Sequence, residues 1–312
     1  MEKLTNFESI LEKLQKLDMA KMVVAGADNE TTLECCRKVK DLKISDSILV
    51  GDKKSIIELS SKMNIDISDF EIVDIQGEEE IAKYSIKLVH EGKANIIAKG
   101  SIETKTALKA ALDKEIGIRN DNNISLTGIF EIPQKDKTRF LLMADHAIRP
   151  YPTLEEKISI INHSVELANM VGIENPKVAI ITAVEFVNPK MKETVEADKL
   201  SKMNDNGEIK GCIIDGPLSM DLAIDPEASV LKKINNRKIK GDADILIFHD
   251  IHAANIIYKT FIHLLKWKGG NVVVGTKAPI IIASRSDSLE VKFYSFLLSY
   301  LYYLYFSNKN KK

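Results

Sequence analysis

The sequence predicts an α/β protein of two lobes, with parallel or mixed sheets covered by helices on both faces. Short runs rich in valine and isoleucine alternate with longer amphipathic stretches along most of the 312 residues. This alternation is typical of parallel strands buried between helices. It breaks once, at residues 124–145, where two extended segments follow each other without a helix. No low-complexity linker separates the two halves of the chain, so we expect two lobes packed against each other with a cleft between them.

The first part of the chain contains four predicted strands with helices between them. Asp28 and Asn29 can cap the first of these helices, because their side-chain oxygens accept hydrogen bonds from free backbone amides. The strands are expected at residues 21–27, 47–50, 70–75 and 95–99, and the clearest helices at residues 30–40 and 78–90.

The second part of the chain begins with the break in this rhythm. Residues 124–132 and 139–145, joined by a polar turn, are expected to form an antiparallel pair. A helix follows at residues 153–171, where apolar residues recur every three or four positions. Further strands are predicted at residues 178–182, 211–215, 243–248, 271–275 and 280–283. We place the first lobe at residues 1–130 with 280–312 and the second lobe at residues 131–279.

Composition limits the classes of function. The chain has 44 lysines and arginines against 45 acidic residues, a net charge of −1, which gives no electrostatic reason to expect a nucleic-acid partner. Three cysteines cannot form a disulfide framework, and no secretory signal is visible at the start of the sequence. The longest uncharged run, which includes residues 293–306, is shorter than the roughly 20 residues of a membrane-spanning helix. We expect a cytoplasmic protein without a membrane partner, in which this run lies in a core or in the interface of a homo-oligomer.

Common nucleotide and hydrolase motifs are absent. The sequence has no GxGxxG after a strand, no GxxxxGK[ST], no GxSxG and no HExxH. The candidate site residues are therefore the polar residues that follow predicted strands, because open α/β sheets collect ligands there.

The first such group is Lys99 and Gly100, with Thr104 and Lys109 in the helix that follows. A glycine lets backbone approach an anion, the start of a helix can hold the anion, and a lysine adds charge. The alternative is a capped helix that carries a solvated lysine.

A second group, Asp145 and His146, ends the predicted strand 139–145. The two residues could form an acid/base pair, and a purely structural hydrogen bond explains them equally well. In the third group, His249 and Asp250 precede a helix that contains His252 and Asn255. These residues suggest a metal site only weakly, and the alternative is a helix capped by Asp250.

The fourth group is Ser284 and Arg285, directly after the predicted strand 280–283. A strand that presents a serine and an arginine before a new helix suits phosphate, because the guanidinium binds oxygens as a planar fork and the helix start adds amide donors. A serine-rich helix cap is the alternative.

Taken together and in order, several segments resemble the phosphate acetyl/butyryltransferase family, and its butyryltransferase branch most closely. The resemblance implies a two-lobed α/β fold like that of isocitrate and isopropylmalate dehydrogenases, with the active site in the cleft between the lobes. It also implies a reversible reaction of acyl-CoA and phosphate that gives acyl phosphate and CoA. The matching segments are LKAALDKEIGIR (108–119), PTLEEK (152–157), NPKM (188–191), IKGCIIDGPLSMDLAI (209–224), GDADIL (241–246), NIIYK (255–259) and SRSDS (284–288).

The resemblance also implies roles for individual residues. Ser284 would stabilise the transition state, Arg285 would hold the phosphoryl group, and Lys109 would lie near the anion. Asp215, Pro217 and Asn255 would line the cleft. CoA and acyl-CoA would be substrates, together with phosphate and acyl phosphate, and no cofactor or metal would be required.

The general base is not identified by the resemblance. Related acetyltransferases have an aspartate shortly after the serine and arginine, whereas this chain has Leu289, Glu290, Val291 and Lys292 there. His146 is a candidate base, because an imidazole titrates near neutral pH. Two other functions stay open: a dehydrogenase of hydroxy acids that uses NAD and a metal on the same fold, and a catalytically silent protein that binds CoA.

Overall fold

The computed structural model describes residues 3–120, 123–134, 137–234, 236–283 and 287–309. The chain divides into two compact units. The terminal unit contains Phe7–Asn122 and Lys268–Lys312, and the central unit contains Asn123–Trp267 with the N-terminal residues up to Asn6.

Strands and helices alternate as the sequence predicts. The strands are β1 (Ala20–Ala25), β2 (Ser45–Gly51), β3 (Glu71–Asp74), β4 (Ile96–Lys99), β5 (Ser125–Gln134), β6 (Lys137–Ala144), β7 (Lys177–Ile181), β8 (Ile213–Leu218), β9 (Ile245–Ile247), β10 (Lys268–Val274) and β11 (Ile280–Ile281). The helices are α1 (Phe7–Leu14), α2 (Glu30–Asp41), α3 (Lys53–Met63), α4 (Glu78–His90), α5 (Thr104–Ala111), α6 (Leu154–Met170), α7 (Lys192–Asp205), α8 (Met220–Ile224), α9 (Pro226–Leu231), α10 (Ile251–Lys259) and α11 (Leu289–Lys309).

The terminal unit is built on a mostly parallel sheet. Its strand order is β3-β2-β1-β4-β11-β10, and β10 is antiparallel to β11 while the other pairs are parallel. Val23, Val24 and Ile97 in the middle strands are at most 2% exposed, as expected for strands covered on both faces. Because the middle strands are parallel, β1, β4 and β11 end at the same edge of the sheet.

The central unit has the strand order β5-β6-β9-β7-β8. The predicted antiparallel pair is confirmed: β5 and β6 pair from Thr127 opposite Ala144 to Gln134 opposite Lys137. Strands β6, β9, β7 and β8 are parallel to one another, so they also end at a common edge.

The two units have other boundaries than the lobes predicted from the sequence. In that prediction the chain passes from the first lobe to the second after residue 130 and returns to the first at residue 280. Residues 123–130 lie in the central unit because β5 forms a hairpin with β6. Residues 268–279 lie in the terminal unit because β10 pairs with β11 and packs against α11.

The uncharged run 293–306 lies in α11, which packs against β10, α1 and α2. Most of its side chains up to Tyr302 are buried within the chain itself, and Phe7 of α1 stacks on Tyr294 at 4.2 Å between ring centroids. Burial against its own unit therefore accounts for much of the apolar character of this helix. None of the helices in the described ranges is long and apolar enough to cross a membrane.

The ends of β1 and β4 approach each other closely at Gly26 and Gly100. The Gly100 amide donates to the carbonyl of Ala25 at 2.9 Å, and the Ser101 amide donates to the carbonyl of Gly26 at 2.8 Å. A Cβ atom added to Gly100 would lie 1.8 Å from the Gly26 oxygen. Packing of one strand end on the other therefore requires glycine at position 100, independently of any ligand.

We expect Gly100→Ala to destabilise the chain by about 3 kcal/mol, since backbone must move to relieve the clash. The urea midpoint measures the loss. Gly92→Ala is the control, because Gly92 has a positive φ of +72° but nothing within 4 Å of the added carbon, and we expect it to cost about 1 kcal/mol. Equal losses for the two variants would show that close approach at Gly100 has no special cost.

Candidate active site

A pair of buried lysines lies at the edge of the terminal sheet where β1 and β4 end. Lys99 is the last residue of β4, and Lys292 lies in the first turn of α11; they are 8% and 7% exposed. The Lys99 ammonium donates to the carbonyls of Gly100 and Ile102 at 3.0 and 2.9 Å. We call Lys99 and Lys292 the basic pair.

The start of α2 holds the second lysine. Asn29 is the N-cap of α2, and its side chain accepts from the Thr32 amide at 3.1 Å, which confirms the predicted cap. The Lys292 ammonium donates to Asn29 Oδ1 at 2.8 Å, to Thr32 Oγ1 at 3.1 Å and to Thr31 Oγ1. A helix start and two ammonium groups are therefore combined at one sheet edge.

The electrostatics of this edge favour an anion. Burial lowers the pKa of Lys292, and the positive charge of Lys99 acts in the same direction, while Asp287 opposes it. An anion bound beside the basic pair would relieve this repulsion, because an opposite charge favours the protonated amine. Hydroxyl groups and a helix N-terminus next to the lysines add the donors that phosphate uses.

Lys292 is not among the site residues that the sequence predicts. The spacing of α11 alone gives no reason to prefer Lys292, because a lysine near a helix start is normally solvated. Only the packing of α11 against α2 brings its amine to the end of β1.

Two of the predicted anion-binding residues lie on the surface side of this region. Thr104 is the first residue of α5, which confirms that a helix begins directly after β4. Lys109, in the last turn of α5, is exposed, and its ammonium binds Glu79 of α4 at 3.2 Å. In this conformation Lys109 corresponds to the solvated lysine of the alternative interpretation.

Ser284 and Arg285 lie outside the described residues. The residues before them are placed: Ile281 of β11 pairs with Ala98 of β4, one residue before Lys99. After them, Asp287 is 4% exposed and lies close enough to Lys292 to affect its pKa.

In the central unit, Asp145 and His146 follow β6, and each is tied to the surrounding structure. Asp145 is 4% exposed and accepts hydrogen bonds from the amides of Leu126, Ala147 and Ile148 at 3.2, 2.9 and 2.9 Å. Burial raises the pKa of this carboxyl, against the effect of those three bonds.

The His146 ring stacks on Tyr258 of α10 at 4.3 Å between centroids, and its carbonyl accepts from the Asn255 side chain at 3.0 Å. Both His146 and Tyr258 are buried, at 2% and 5% exposure. This geometry favours the structural interpretation of Asp145 and His146, and it gives Asn255 a role in holding the loop after β6.

Asp215 and Pro217 in β8 accept hydrogen bonds from residues 237–239, which the sequence does not predict as site residues. The Asp215 carboxylate accepts from the Arg237 guanidinium at 3.1 Å and from the amides of Lys238 and Ile239 at 2.8 and 3.1 Å. Arg237 also donates to the carbonyl of Pro217 at 2.9 Å. Asp215 is 3% exposed, so its main task in this structure is to anchor the 237–239 loop.

Asp250 is the N-cap of α10 and accepts from the Ala253 amide at 2.9 Å, as the alternative to a metal site predicts. Within the part of the chain that the structure describes, no three His, Cys, Asp or Glu side chains are grouped closely enough to hold a metal ion.

Comparison with known proteins identifies the family. A family model described as phosphate acetyl/butaryl transferase matches residues 6–88 and 81–299. A phosphate butyryltransferase of Clostridium acetobutylicum is 42% identical over 95% of this chain and 97% of its own length. A phosphate acetyltransferase of Thermotoga maritima is 38% identical over 93% of this chain and 98% of its own length.

Solved structures agree with the sequence comparison. A branched-chain phosphotransacylase from Enterococcus faecalis V583 superposes with a TM-score of 0.79 at 29% identity, covering 91% of this chain and 99% of that one. Because the family model and the relatives span nearly the whole sequence, this chain belongs to the phosphate acetyl/butaryl transferase family.

Proposed function

We propose that this protein reversibly transfers a short acyl group between CoA and inorganic phosphate. Family membership over almost the whole chain is the observation that carries the proposal. In the forward direction a phosphate oxygen attacks the carbonyl carbon of the thioester, a tetrahedral oxyanion forms, and the carbon–sulfur bond then breaks. The products are acyl phosphate and the CoA thiolate, which takes up a proton.

The basic pair is the site that we assign to the phosphate. Phosphate carries between one and two negative charges at neutral pH, and Lys99 and Lys292 supply buried positive charge next to the start of α2. We assign Arg285 to the phosphoryl group and Ser284 to the oxyanion of the tetrahedral intermediate, as the family resemblance implies. Such donors act strongly where water is excluded.

The forward direction needs no base to activate the nucleophile, because phosphate is already an anion at neutral pH. A base is needed in the reverse direction, where the CoA thiol must lose a proton before it attacks. Asp145 and His146 support the loop after β6 in this proposal, because the Asp145 carboxylate accepts the amides of Ala147 and Ile148 and the His146 ring stacks on Tyr258.

The acyl group that we propose is butyryl. The resemblance of several segments to the butyryltransferase branch supports this choice, and so does the butyryltransferase relative at 42% identity, compared with 38% for the acetyltransferase. Purified protein incubated with butyryl-CoA and phosphate should release free thiol, which a thiol reagent detects by absorbance. Thiol release that does not depend on added phosphate, or no release with any acyl-CoA of two to six carbons, contradicts the proposed reaction.

Arg285→Ala should lower kcat/KM by at least about a hundredfold, the scale of losing one charged contact with the transition state. Steady-state kinetics with butyryl-CoA and phosphate measure this change. Arg37→Ala is a matched control, because Arg37 pairs with Asp41 and Asp69 at the surface of the terminal unit. Near-normal activity of Arg285→Ala would remove this residue from the active site.

Lys292→Met should raise the KM for phosphate and leave the KM for butyryl-CoA nearly unchanged. A hydrogen bond to a charged group contributes roughly 1.5–3 kcal/mol, which corresponds to about a ten- to a hundredfold increase. Lys83→Met, which removes an exposed lysine of α4, is the control. An equal rise of both KM values would indicate a general disturbance of the fold rather than loss of a phosphate contact.

The same lysine predicts a pH dependence. Because burial lowers its pKa, Lys292 loses its proton at a pH below the ordinary lysine value of 10.5. The amine is charged below its own pKa and neutral above it, so the KM for phosphate should rise as the pH increases through that value. Lys292→Arg should shift or remove this alkaline rise, since a guanidinium stays protonated over the whole range. An identical pH profile for the two proteins would exclude Lys292 as the titrating group.

A further inference from the structure

The central unit contains an open pocket of about 440 Å³. None of the residues that we assign to phosphate or to the oxyanion is among the described residues that line it. It lies where β7, β8 and β9 end, at the edge of a parallel sheet where α/β proteins gather ligands. Most of its lining is apolar. The larger apolar side chains are those of Ile181, Met191, Met220, Phe248, Ile256 and Ile257.

The charges of this pocket are opposite to those of the basic pair. Among the residues that the structure describes, the charged ones that line it are two carboxylates, Glu193 and Asp250, and none is a lysine or an arginine. Phosphate groups, whether free or part of CoA, are repelled by such a wall. The pocket therefore suits an uncharged, apolar part of a substrate.

His249, which lines the pocket, contacts two charged side chains that are not part of the lining. His249 Nδ1 lies 3.2 Å from the Lys157 ammonium, which in turn binds the Glu196 carboxylate. The side chains of Lys157 and His249 are 5% and 10% exposed. Because Glu196 neutralises Lys157, the positive charge of that lysine does not make the pocket attractive to anions.

We propose that this pocket binds the acyl chain of the substrate and thereby sets the preference for chains longer than acetyl. The inference rests on the proposed acyl transfer. Its volume exceeds what a methyl group needs, and two methionines give the wall an adaptable shape. Each buried methylene should raise kcat/KM by about fourfold, the effect expected from apolar burial.

The first test fills the pocket. Ala253 lines it from α10 and is exposed, so Ala253→Leu adds volume without disturbing a core, and leucine suits a helix. We expect kcat/KM for butyryl-CoA and hexanoyl-CoA to fall by about tenfold or more, and kcat/KM for acetyl-CoA to change by less than about twofold. The Asp250 cap is kept, because it binds the backbone amide of residue 253.

The second test removes part of the wall. Ile256 is 64% exposed and lines the pocket. Leu264, in the π-helical turn Thr260–Leu264 after α10, is 76% exposed and does not line it. Ile256→Ala should flatten the dependence of kcat/KM on chain length. Leu264→Ala, the matched control, should leave that dependence as it is in the unchanged protein.

The outcomes separate this inference from the proposed function. An equal loss for all chain lengths in Ala253→Leu means that the pocket binds the adenine or the pantetheine arm of CoA, which overturns the acyl assignment. No change for any substrate in either pocket variant overturns it as well. If the unchanged protein releases no thiol from any acyl-CoA, the proposed function itself is wrong. Melting temperatures of the variants show whether each is folded.

Discussion

Burial of two ammonium groups at one sheet edge is the constraint on which the terminal unit depends. A buried charge is costly unless oxygen atoms surround it. Lys99 meets this requirement with backbone carbonyls, and Lys292 with the cap and the hydroxyl groups of α2. The contacts of Lys292 tie α11 to the start of α2, and those of Lys99 hold the turn that follows β4. The close approach at Gly100 holds the ends of β1 and β4 together.

In the central unit, carboxylates rather than ammonium groups hold the chain segments at the sheet edge. Three aspartates accept backbone amides from a neighbouring loop or helix: Asp145 after β6, Asp215 within β8 and Asp250 after β9. Carboxylates used in this way shape the loops at the sheet edge. At the ends of β7, β8 and β9 the lining is mostly apolar, and this is the pocket that we propose for the acyl chain.

Local sequence patterns predicted the strands, helices and helix caps well. They did not predict which lysine side chains are buried. The helix caps at Asn29 and Asp250 and the β5–β6 hairpin are confirmed, because each depends on residues close together in the sequence. Lys109 and Lys292 show the limit of this approach. Both are lysines on helices, yet one is paired at the surface and the other is buried. Burial depends on which helix packs against which, and no local pattern contains that information.

By itself the sequence determined the alternation of strands and helices, the hairpin that interrupts it, and the family, because periodicity and ordered motifs are properties of the chain alone. Tertiary structure decided that Lys292 joins Lys99, that Arg237 anchors Asp215, and that a mostly apolar pocket forms beside Asp250. The physical reason is distance. These groups are separated by tens to hundreds of residues along the chain, so their charges interact only after the strands have paired and the helices have packed on them.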